Sequence, residues 1–110
     1  MPHRTRKLLL DITLSCDEIL SFIEGKDYDH FVADRLLQLA LEREFEIIGE
    51  ALSRLEKIDL AGVSRKIPEY RKIIGFRNVI THGYDTIDDA ALWDFAKNRV
   101  PELLEKAQNY

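Results

Sequence analysis

The sequence predicts an all-α protein, a four-helix up-and-down bundle with a kinked last helix. Three observations carry that expectation. Apolar residues recur at steps of three and four along nearly the whole chain, the spacing of one helical face. Glycine and proline are scarce, 5 and 3 among 110 residues, too few for an all-β chain that turns every ~8–12 residues. The connections between the stripes are short, with no internal repeat, low-complexity segment or linker, so residues 1–110 read as a single domain.

The first helix is expected over about 4–24. Leu9, Ile12, Cys16, Ile19 and Ile23 form its stripe, and Gly25 suits a left-handed cap just beyond it. Cys16 lies on that stripe and reads as a small buried apolar residue. Asp27 and Asp29 can each cap a second helix, expected over about 30–56. Its main stripe is Leu37, Leu41, Phe45, Ile48, Leu52 and Leu55. A second stripe, Leu36, Ala40, Ile47 and Ala51, broadens the apolar face for several neighbours. Arg43, Glu46 and Glu50 run along another face, where Arg43 and Glu46 suit an intrahelical ion pair worth ~0.2–0.5 kcal/mol.

Ala61-Gly62-Val63-Ser64 reads as a loop. Pro68 suits the first position of a third helix that runs to about His82, with Gly83 as its cap. Ile73, Phe76 and Ile80 give this helix its stripe. Gly75 in its interior costs ~1 kcal/mol relative to Ala, which close approach of another backbone would explain. Thr86-Ile87-Asp88-Asp89 resembles a capping box opening the last helix. Trp93, Ala96, Val100, Leu103 and Ala107 form that helix's stripe. Pro101 inside it predicts a kink near residues 98–100.

Composition narrows the function classes. Hydrophobic residues make up 45% and charged residues 33%, which excludes a disordered tail. One cysteine excludes an internal disulfide and a thiolate zinc site. The longest apolar run near the start, Leu8-Leu9-Leu10, ends at Asp11, too short for a signal peptide or a spanning helix, so an intracellular, cytoplasmic protein is expected. A net charge of −4 argues against a general nucleic-acid coat but leaves room for a local basic site.

Candidate chemistry is concentrated in the third helix. None of His3, His30 and His82 has a second His or Cys at ligand spacing, so no metal site is expected. From Arg65 to Arg77 five basic residues (Arg65, Lys66, Arg71, Lys72, Arg77) stand against one acid, Glu69, for a net of +4. That run is either a solvated face or a phosphate-contacting strip in which Arg71 and Lys72 take part. Asn78 and His82, four apart, share a face; Arg77 and His82, five apart, are separated by roughly 140° on an ideal helix. One copy thus makes a loose pair, whereas two copies about a two-fold axis can enclose a cleft with two Arg and two His. Spacing alone fits His82 better as a helix-dipole partner than as a catalyst.

The segment Arg77-Asn78-Val79-Ile80-Thr81-His82-Gly83-Tyr84 resembles the Arg-x4-His-x-Tyr signature of the HepT toxins in the HEPN superfamily. Phe31 opening the second helix, Ile47-Ile48-Gly49-Glu50-Ala51, Ile67-Pro68 and Arg99-Val100-Pro101 fit the same family, so the resemblance covers essentially the whole chain. Tyr70 departs from the pattern, which would place a Trp just after the Ile-Pro pair. The resemblance implies a HEPN bundle dimerising through the motif-bearing third helix. It implies a metal-independent endoribonuclease toxin that needs no cofactor; on the enzyme hypothesis single-stranded or loop RNA is the substrate, with tRNA one candidate target. It implies a partner, the small nucleotidyltransferase antitoxin MntA, which silences the toxin by transferring AMP to the motif tyrosine. On that basis Arg77 and His82 are the expected catalytic residues, Asn78 a supporting one and Tyr84 the modified one.

The chemistry is coherent with these residue types. RNA supplies its own nucleophile, the 2′-OH, beside the scissile phosphate. A His with an unperturbed pKa near ~6.5 can move the proton, and a permanently charged Arg fork can meet the developing phosphorane charge. The alternative is a non-catalytic HEPN module that binds a nucleotide or serves as docking partner and AMP acceptor of a minimal nucleotidyltransferase. Retention of both Arg77 and His82 favours the enzyme.

Overall fold

The computed structural model describes residues 2–82 and 88–110, with side chains described for all of these except 80–82. The described residues are helical with short connections. α1 (His3–Ile23), α3 (Arg35–Ile58) and α5 (Tyr70–His82) are the first three long elements. Short helices α2 (Tyr28–Ala33) and α4 (Leu60–Lys66) stand between them. The chain ends in one continuous run made of α6 (Asp89–Asp94), a π-helical turn (Phe95–Arg99) and α7 (Val100–Gln108). No described helix is long and apolar enough to cross a membrane.

α1 lies between α3 and α7, and α3 lies between α1 and α5. The expected stripes build the core. Ile12, Cys16 and Ile19 of α1, Leu41, Ile48, Leu52 and Leu55 of α3, and Ala96 and Val100 of the last run are fully buried. Cys16 is the small apolar residue its position predicts, and burial pushes its thiol up to about 12. The second stripe on α3 is buried only in part: Ala51 is covered, but Leu36 is 79% exposed.

Several boundaries differ from expectation, each for a local reason. The second helix is two helices, because Asp34 breaks it and caps its own successor. Its carboxylate accepts from the Leu37 backbone N–H at 3.0 Å. Gln38 then donates to the carbonyls of Phe31 and Val32, both at 2.9 Å, satisfying the end of α2. Asp27 rather than Asp29 caps α2, accepting from His30 N–H at 2.8 Å. Phe31 lies within α2, fully buried, with its ring centroid 5.2 Å from that of Trp93.

The expected loop at 61–64 is helical and belongs to α4, for which Asp59 is the N-cap. A Cβ at Gly62 would collide with the Asp59 carboxylate and the Tyr110 hydroxyl, which donates to Asp59 at 2.6 Å. That pairing ties the end of the chain to the α3–α4 corner. Pro68 stands in the turn before α5 rather than inside it, and the Tyr70 N–H bonds the Ile67 carbonyl at 3.0 Å. The N-cap of α6 is Asp88, accepting from Ala90 and Ala91; Thr86, Ile87 and the expected cap Gly83 lie outside the described residues.

One expectation holds in detail, and a second falls on a local irregularity. Gly25 has φ +74 just past α1, a left-handed position that costs glycine little. Where the kink is expected, the helix makes a π-helical turn: the Val100 N–H reaches back to the Phe95 carbonyl, one residue beyond an α-helical bond, and Pro101 follows in the first turn of α7. The wider turn stands directly before the proline, whose missing N–H cannot serve an α-helical hydrogen bond.

Candidate active site

The site is built on α5 and the middle of α3. The two helices pack closely because α3 presents Gly49 at the crossing. A Cβ at Gly49 would collide with the side-chain carbons of Arg77. Arg77 therefore lies across the backbone of α3 instead of projecting into solvent, and its side chain is 27% exposed. The close approach expected at Gly75 is found at Gly49; around Gly75 a Cβ would meet nothing within 4 Å.

Two polar partners fix the guanidinium. Arg77 Nη2 donates to Glu50 Oε2 at 3.3 Å, and Nη1 donates to Asn78 Oδ1 at 3.1 Å. Glu50 is itself held from the other side, where Arg54 Nε donates to Oε1 at 2.9 Å. The Arg54 hydrogen bond, with the charges of Arg54 and Arg77, holds the Glu50 carboxyl below the usual range, so it is an anion at neutral pH. Arg77 Nε is buried with no partner among the described residues. A shallow cavity of about 250 Å³ lies over this cluster, rimmed by Asp11, Arg43, Glu46 and Arg54. The Arg43–Glu46 pair forms as expected, at 3.4 Å.

The outward face of α5 is open. Asn78 and Gly75 are exposed, and Val79 is 61% exposed. His82 closes the helix four residues after Asn78. The role expected of its side chain, and that of Tyr84, lie outside the described residues.

The other two expected contacts diverge. Arg71 Nε donates to the Tyr70 hydroxyl at 2.9 Å and lies 3.6 Å from Glu56 Oε2. Tyr70 is itself buried and donates to Glu56 at 2.6 Å. The Tyr70 hydroxyl thus links α5 to α3 while orienting Arg71. Lys72 instead borders a groove of about 540 Å³ between α5 and the last helical run, where Phe76 and Phe95 stack with centroids 5.2 Å apart. Arg71, like Arg77, pairs with a carboxylate of α3, and Lys72 is on the groove side.

The structure brings together a fixed cation, an amide side chain and an exposed helical face leading to a histidine. The HepT-like ribonuclease family matches residues 12–110. The chain belongs to that family. By class it is a ribonuclease. The chain is 33% identical over 104 residues to a protein of Methanocaldococcus jannaschii that carries the name RNase, covering 94% of this chain and 88% of the relative. A second RNase-named protein of that organism is 31% identical over 103 residues, covering 94% and 93%. A Thermococcus cleftensis protein named as a ribonuclease HepT is 29% identical over 106 residues, covering 96% and 94%. No solved structure matches the chain.

Sequence reasoning placed Arg77 and Asn78 correctly on one helix but gave no role to Gly49, Glu50 or Arg54. The signal was present: a glycine inside a long helical stripe marks a close approach. Periodicity does not say which of two helical glycines receives it.

Proposed function

We propose that this HepT-like ribonuclease is the toxin of a toxin–antitoxin pair and cleaves RNA at a site composed from two copies of the chain. The observation that supports this reading is Arg77, a cation held half-buried at the edge of an exposed helical face that ends at His82. The 2′-OH of the substrate attacks its neighbouring phosphorus, losing its proton, and forms a 2′,3′-cyclic phosphate as the P–O5′ bond breaks and the 5′-oxygen leaves as a protonated hydroxyl. His82 takes or returns the proton, and Arg77 stabilises the phosphorane charge. Asn78 steadies the guanidinium through its 3.1 Å contact. Arg71 and Lys72 add positive field around the substrate without forming the reacting centre.

The second copy completes the cleft, because Arg77 and His82 diverge on one helix. Gly75 and Val79 offer the small, apolar outward face on which two α5 helices can meet. No metal takes part: the sequence has no paired His or Cys at ligand spacing, and the substrate carries its own nucleophile. Tyr84 is the regulatory residue, two positions after His82. AMP on its hydroxyl adds a phosphodiester charge that competes for Arg77 and a purine that blocks entry. The donor enzyme is a small nucleotidyltransferase antitoxin, and both act in the cytoplasm.

Expression in a bacterial host tests the reading. Wild type arrests growth and His82→Ala does not. Co-expression with a matching nucleotidyltransferase restores growth and adds AMP masses to the peptide containing Tyr84. If Tyr84→Phe is silenced as well as wild type, the modification switch is wrong. If His82→Ala remains toxic, so is the assigned chemistry.

A further inference from the structure

We propose that Gly49 and Glu50 of α3 are positioning residues for Arg77, so that the catalytic cation is set by a helix that carries neither motif residue. This inference rests on the reading of Arg77 as a catalytic group.

The argument starts from the freedom of an arginine. Its side chain has four rotatable bonds, and an unrestrained guanidinium on a helix surface samples many positions. Transition-state stabilisation by a cation requires it to be in place beforehand. Here two independent devices fix it. The first is steric. Gly49 lacks the Cβ that would occupy the space of the Arg77 Cβ and Cγ, so the stem lies flat against α3. The second is electrostatic. Glu50 accepts from Nη2 at 3.3 Å, and Arg54 holds that carboxylate at 2.9 Å from the opposite side.

Arg77 Nε is buried with no partner among the described residues, and the course of the stem over Gly49 accounts for that. A guanidinium free to choose would turn to satisfy that donor, since leaving it buried costs on the order of 1–3 kcal/mol. Arg77 accepts the orphan because the slot over Gly49 determines where its stem runs. Glu50 shares its charge between two arginines, which leaves the guanidinium net positive towards an incoming phosphate. Glu50 thus aims Arg77 without neutralising it.

The test uses the full-length protein and a short single-stranded RNA under single-turnover conditions. Gly49→Ala, Glu50→Gln, Arg77→Ala and the double variant Gly49→Ala/Arg77→Ala are compared, with unfolding temperatures recorded for each. A displacement of about 1 Å costs on the order of 100-fold in rate; in parallel multiple-turnover assays Gly49→Ala is expected to lose about that much in kcat with KM little changed. Glu50→Gln, which keeps the volume and removes the charge, loses roughly 10-fold. On the Arg77→Ala background Gly49→Ala costs no further rate, while its thermal cost is relieved only in part, because Ala keeps the Cβ that a Gly49 Cβ would meet and loses only Cγ and Cδ. Additive losses in the double variant, or wild-type kcat in both Gly49→Ala and Glu50→Gln, overturn the positioning role. If Gly49→Ala does not fold, Glu50→Gln decides by its kcat alone. If Arg77→Ala itself cleaves normally, the catalytic reading fails instead, and the two failures are told apart.

Discussion

The two flanks of α5 are built differently. Towards α3 it is packed closely: Arg77 lies over Gly49, Tyr70 bonds Glu56, and Phe76 meets Phe45 edge to face with centroids 5.7 Å apart. Towards the last helical run it leaves a groove of about 540 Å³, spanned by the Phe76–Phe95 stack and by the Lys106–Glu69 ion pair at 2.8 Å. A helix anchored on one flank alone keeps its residues fixed relative to one neighbour while the rest of its surface stays available. α5 is fixed closely against α3, and the groove on its other flank stays open.

Substitutions on the two flanks sharpen that contrast. Phe45→Ala removes a ring that is 2% exposed and touches both Phe76 and Phe95. It should cost about 3–5 kcal/mol of unfolding free energy in urea titrations. A loss under 1 kcal/mol would mean that α5 is not anchored through α3.

On the far flank of α3, Glu44 is 6% exposed against α1, and burial beside Glu18 raises its carboxyl to about 7. The unfolded chain releases this proton near pH 4.5, whereas the folded protein keeps it to about 7. Stability is therefore lost as pH rises from 4.5 towards 7 and is flat beyond for this group. Glu44→Gln should stabilise the protein at pH 8 by about 1–2 kcal/mol and flatten that slope. An unchanged pH profile would contradict the assignment.

The smallest effect belongs to the open flank. Lys106→Ala breaks a partly exposed ion pair and should cost under about 1 kcal/mol. A loss as large as that of Phe45→Ala would erase the difference between the flanks.

How much of this was legible follows from the range of each interaction. The long stripes on α1 and α3, the left-handed Gly25 and the irregular turn before Pro101 are local patterns, and the sequence displays them. The break at Asp34 is local too, but one acid inside an apolar stripe resembles an ordinary surface position. Ala61-Gly62-Val63-Ser64 looks like a loop by propensity. It becomes helix because Asp59 caps it and Val63 is buried, which is tertiary packing overriding local preference. Glu50 and Arg77 are 27 residues apart, and no periodicity connects them. Gly49 and Gly75 are alike as letters; only the crossing of α3 with α5 decides which one must lack a side chain.

The central claim is that Arg77, held by α3, is the cation that cleaves RNA. The measurement that tests it most directly is the single-turnover cleavage rate of a single-stranded RNA in EDTA, wild type against Arg77→Ala, with unfolding temperatures matched. Wild type should cleave in the chelator. Arg77→Ala should lose at least about 100-fold, the scale of removing one preorganised charge-stabilising group, while it unfolds at the same temperature to within a few degrees. An Arg77→Ala protein that cleaves at the wild-type rate would contradict the account, as would a wild type whose activity vanishes in EDTA and returns with added metal.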